Sequence, residues 1–76
     1  MKTIVLNENN LSLYVFNDND VVILNSNNTN TENFLICDVN IFNSKLIENI
    51  VIPDDYVGSK YFFDGEVWTL NPEFNF

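Results

Sequence analysis

The chain has 76 residues, with eleven Asp and Glu against three Lys, a formal net charge of −8, and no histidine or arginine. At this size the hydrophobic gain on folding and the entropy cost of ordering the chain nearly cancel, so a docked subunit would add useful stability. One cysteine and no histidine leave an internal disulfide and a zinc, copper or haem centre without ligands. The charge also opposes direct binding to nucleic acid or to an anionic membrane, since both are held by Lys and Arg.

The uncharged residues point to β structure. Asn occurs fifteen times, while Ala, Gln and Arg are absent. Helices favour those three, whereas Asn and Asp bond to their own backbone and settle in turns. The apolar residues are mainly Ile, Val, Leu and Phe, which suit strands. The expected fold is a single all-β domain over residues 1–76. Its form would be a small antiparallel barrel or two-layer sandwich of about six or seven short strands.

In chain order, Thr3–Leu6 reads as a first strand and 7–10 as a turn. The apolar run ends there, too early for a secretory signal, and no stretch approaches the ~20 apolar residues of a membrane helix. Leu11–Phe16 reads as a second strand, with Ser12, Tyr14 and Phe16 on one face. The turn formers 17–20 then suggest a hairpin returning through Val21–Leu24. Residues 25–33, rich in Asn, Ser and Thr, read as a long mobile polar loop. Phe34–Val39 reads as a fourth strand that buries Cys37 as an inert thiol, with a turn at 40–44. Residues 45–52 are short, β-branched and closed by Pro53, which favours strand over helix.

The C-terminal third carries the clearest local signal. Lys60–Phe63 and Glu66–Leu70 flank Asp64-Gly65, a favoured two-residue type I′ turn, which predicts a hairpin over 60–70. That loop would pair Phe63 with Glu66 and Tyr61 with Trp68, placing Tyr61, Phe63 and Trp68 on one face. Gly58 and Asn71-Pro72 mark turns at either end, and the aromatic tail 72–76 carries Phe74 and Phe76. A tail with two phenylalanines is expected to dock on its own domain or on a neighbouring subunit.

Little in the sequence carries chemistry. The Asx-rich 17–20 segment lacks the Gly and Glu of a calcium loop, and no Ser/His or Cys/His pair can form. Asp54/Asp55 and Asp64/Glu66 offer carboxylates by type alone, but adjacent strand residues face opposite ways. No catalytic, cofactor or metal site is therefore expected. The candidate contact residues are Tyr56, Tyr61, Phe63, Trp68, Phe74 and Phe76, because Trp and Tyr are enriched at interfaces and also stack on sugars. Gly58, Asp64, Gly65, Asn71 and Pro72 are the structural turn residues.

The segment Pro53-Asp54-Asp55-Tyr56-Val57-Gly58-Ser59-Lys60-Tyr61-Phe62-Phe63-Asp64-Gly65-Glu66-Val67-Trp68-Thr69-Leu70-Asn71-Pro72 resembles the ending of small proteins of marine cyanobacterial tailed phages. The opening Met1–Leu6 is similar too, with the rest alike only loosely. Tyr56 stands where those proteins more often have Trp, and Ser59 where Cys is common. Related endings occur on phage tail and virion components, so the resemblance implies a chain made in the host cytoplasm and assembled into the virion. The expectation is a non-enzymatic structural or interaction module of a tail, fibre or capsid surface. It would be a homo-oligomer or sit on other phage structural proteins. Two alternatives stay open: an acidic inhibitor of a host protein, and a carbohydrate-binding module using its aromatic residues, with a glycan as partner.

Overall fold

A computed structural model of the chain describes residues 1–74. Ile4 and Val5 are neighbours in sequence and both are fully buried, so their strand must be covered on both faces. That strand, β1 (Lys2–Leu6), lies between β2 (Ser12–Phe16) and β6 (Ser44–Ile47) in a three-stranded antiparallel sheet. A second antiparallel sheet has the order β3 (Val22–Leu24), β4 (Thr29–Thr31), β5 (Leu35–Ile36). The third is the hairpin of β7 (Tyr61–Phe63) and β8 (Trp68–Leu70). The described residues are thus all-β, eight short strands in antiparallel sheets, sandwich-like rather than a closed barrel.

The main core lies between the first two sheets. Ile4 and Phe16 meet Ile36 and Val39, with Leu13, Tyr14, Val22, Leu24 and Leu46 packed around them. Phe34 rests on the Tyr14 and Phe16 rings at 6.4 Å from each. On the opposite face of β1 buried Val5 is joined by buried polar groups. Thr3 and Ser12 hydroxyls lie 2.6 Å apart, and Ser12 reaches the Tyr56 hydroxyl at 2.9 Å.

A bulge explains that polar layer. Ile4 pairs with Tyr14 but Val5 pairs with Ser12, so Leu13 is the extra residue in β2. The bulge returns Leu13 to the core side with Tyr14 and turns Ser12 to the other face. The expected sharing of one face by Ser12, Tyr14 and Phe16 therefore fails at Ser12.

Three further expectations are corrected. β2 does not pair with β3: β1 takes one edge of β2, and the final hairpin takes the start of the other. There Leu11 bridges Phe62, and Phe63 and Ser59 N–H groups donate to the Asn10 and Ser12 carbonyls at 2.8 Å. β3 turns away after the 17–20 connection, which is held by Asn17 N–H to the Asp20 carboxylate, and pairs with β4 instead. The polar stretch 25–33 is accordingly no mobile loop but contains the central strand of a sheet. Its Thr29 is fully buried and donates its hydroxyl to the Val39 carbonyl at 2.9 Å. The fourth expected strand shrinks to Leu35–Ile36, so Cys37 falls beyond the strand and is exposed.

Candidate interaction site

Asp64-Gly65 does locate the last turn, but the turn is centred one residue later than expected. The Asp64 carboxylate accepts the Glu66 and Val67 N–H groups, each at 2.8 Å, and so ties up donors that a two-residue loop would place in the ladder. Gly65, at φ +106°, becomes the first central residue of a turn closed by Asp64 N–H to the Val67 carbonyl. Phe63 therefore pairs with Trp68, Phe62 with Thr69 and Tyr61 with Leu70. The shift is an even number of residues, so Tyr61, Phe63 and Trp68 still share a face.

That face gathers four of the six candidate aromatics. Phe63 is 2% exposed, and its ring stacks on Trp68 at 4.2 Å and 21°. Tyr61 and Tyr56 meet Trp68 edge-on at 6.1 and 6.0 Å. The indole N–H donates to the Val51 carbonyl at 2.9 Å, tying the hairpin to residues 48–53. These residues form a strap beyond β6, bent at Asn49 (φ +59°) and anchored by Ile50 N–H to the Met1 carbonyl at 3.1 Å.

Around this cluster the polar groups serve the fold. The Asp55 carboxylate accepts from the Tyr61 hydroxyl at 2.7 Å and from the Lys60 ammonium at 2.9 Å. Those two bonds, Tyr61 first, hold Asp55 below the ordinary carboxylate range, and the same contact raises Tyr61. Burial raises Tyr56, with the Ser12 and Thr3 hydroxyls pulling the other way. Gly58 sits in the turn that carries Lys60 N–H to the Val57 carbonyl. Asn71 closes the hairpin, accepting Glu73 N–H on its side chain and donating its amide to the Ser59 carbonyl at 3.0 Å. Pro72 is exposed, and Phe74 is half-buried in the turn after it. Phe76 lies outside the described residues.

Between the strap and the hairpin tip opens a cleft of about 450 Å³. Ile50, Ile52, Pro53, Phe63 and Trp68 give it apolar walls, and Glu66 stands at its rim. Val51, also in the lining, is 86% exposed. The strap does not stand out in the sequence as a site, and Glu66 does so only as a carboxylate beside Asp64. The only local sign is the run Ile50-Val51-Ile52, which is apolar at consecutive positions where a half-buried strand would alternate. On the outer face of the β3–β5 sheet, Ile23 and Leu35 stand either side of Asn30 in one row across the three strands, all exposed. No family model, curated protein or solved structure matches the chain.

Proposed function

We propose that this chain is a non-enzymatic interaction module that docks on another protein through exposed apolar side chains. One observation carries the reading. Among the described residues ten large hydrophobic side chains are exposed, against six apolar residues in the buried core. Isolated exposed apolar residues are ordinary, but exposed ones that outnumber the buried core are what a partner would cover; Val51 stands on the strap and Ile23 and Leu35 on one sheet face. Asp55 and Asp64, beside the aromatic cluster, are taken up in ion-pair and turn contacts, which supports binding rather than acid–base chemistry. Phe63 occupies one ring face of Trp68, which favours protein contact over a sugar platform.

The resemblance of residues 53–72 to phage proteins places that docking on a virion surface in this proposal. Copies carrying −8 each repel one another, so a different structural protein is the better partner than a second copy. Mass spectrometry of purified virions tests the assignment. Detection at a stoichiometry fitting a structural component supports it. Repeated absence at adequate sensitivity transfers the chain to the reading as an inhibitor of a host protein. Sedimentation equilibrium at high micromolar concentration checks the partner preference, with one 8.8 kDa species expected.

A further inference from the structure

We infer that the cleft between the strap and the hairpin tip receives an extended segment of the partner protein that combines an apolar side chain with Lys or Arg. This deepens the interaction reading above and rests on it. The apolar half of the requirement comes from the cleft walls, Ile50, Ile52, Pro53, Phe63 and Trp68. The extended half comes from the strap backbone. Val51 gives its carbonyl to Trp68, but among the described residues neither backbone group of Ile52, the next residue, has a partner. The N–H and carbonyl of one such residue can exchange main-chain hydrogen bonds with an added extended segment.

The cationic half comes from charge. Glu66 stands at the cleft rim, and Asp54 follows the strap in the chain, both exposed. Little positive charge offsets them. Lys2 and Lys60 are about nine-tenths buried and paired with Glu48 and Asp55 at 3.7 and 2.9 Å, leaving Lys45 as the exposed lysine. A cleft with low-dielectric walls and an anionic rim attracts a basic segment and disfavours an acidic one.

The test uses the full chain, immobilised and challenged with a yeast-displayed library of random decapeptides. Enriched sequences should join an aliphatic or aromatic residue to Lys or Arg. Titration of the best synthetic peptide into ¹⁵N-labelled protein should shift amide signals at 49–53 and 63–68. Glu66→Lys, at an exposed turn position, should weaken that peptide about tenfold, and added salt should weaken the parent complex. Glu66→Gln should fall between the two. Enriched peptides without basic residues, shifts on the β3–β5 face, or no enrichment would each overturn the inference. Binding at the β3–β5 face would leave the interaction reading standing. Cleft binding by a chain absent from virions would remove only the virion assignment.

Discussion

Phe63 and Trp68 face each other directly across the final hairpin, their rings stacked at 4.2 Å and 21°, with Phe63 almost fully buried and Trp68 only partly so. The pair sits in a non-hydrogen-bonded position of the ladder, between the bonded pairs at Asp64/Val67 and Phe62/Thr69, where opposed side chains come closest. Trp68 thereby covers Phe63, and its N–H holds the strap against the hairpin. The cleft exists because that clamp sets the distance between its two walls.

Removing the clamp should cost most of the molecule's stability. Trp68→Ala loses the stack, two edge contacts and a hydrogen bond, about 3 kcal/mol at the lower end for a large aromatic. That approaches the margin of a small domain, so little folded protein should remain at room temperature. Trp68→Phe keeps an aromatic ring opposite Phe63 and should remain folded at about 1 kcal/mol below the parent. Denaturant unfolding followed by circular dichroism measures both.

The buried hydroxyl layer predicts an alkaline limit. The folded state raises Tyr56, chiefly by burial, so it favours the neutral phenol. The stability this contributes is fully present below the unfolded tyrosine value near ~10 and is lost as pH rises through the higher folded value. Tyr56→Phe should cost about 1 kcal/mol at neutral pH, because Ser12 loses a partner in a buried site. It should also flatten the fall in the unfolding midpoint between about pH 9 and 11 relative to the parent. Tyr61→Phe, at the surface contact with Asp55, serves as the comparison for the remaining alkaline loss.

Asp64 governs the acid side of the hairpin. The Val67 and Glu66 N–H groups hold its carboxyl below the ordinary range. Its stabilising contribution is therefore present above the unfolded value near ~3.9 and lost as pH falls through the lower folded value. Asp64→Ala should lower the thermal midpoint at neutral pH and reduce its decline between about pH 4 and 2. Asp64→Asn retains an acceptor and should lie nearer the parent at neutral pH.

Close approach, rather than backbone angle, fixes Gly58. A Cβ there would stand 2.7 Å from the Leu13 carbonyl oxygen, in the bulged stretch of β2. Gly58→Ala must push the loop off β2 and should cost about 1–3 kcal/mol in denaturant unfolding. The next residue gives the opposite sign. Ser59 has φ +71°, so Ser59→Gly relieves backbone strain and should be neutral to slightly stabilising.

The sequence conveyed class and landmarks better than partners. Composition and the Asp64-Gly65 turn point to an all-β chain with a closing hairpin, and strand alternation puts Tyr61, Phe63 and Trp68 on one face, as in the structure. The register was not legible, because it depended on Asp64 bonding to the backbone beyond the turn. β4 was hidden because Thr29 and Thr31 look like loop residues, although the buried hydroxyl of Thr29 finds the Val39 carbonyl. The cleft is further from local pattern still. It depends on an indole N–H meeting a carbonyl seventeen residues away, and no periodicity encodes that contact.

Trp68 is the chain's single tryptophan, so its fluorescence reports on the clamp alone. Acrylamide quenching of the native protein, repeated through a thermal unfolding followed in parallel by circular dichroism, asks whether the ring belongs to the fold. A shielded indole, whose quenching rises at the same midpoint as the loss of β signal, is expected if the aromatic cluster is structural and the working surface lies on the strap beside it. An indole quenched as freely before unfolding as after would place the ring in open solvent. The clamp, and the cleft it defines, would then be wrong.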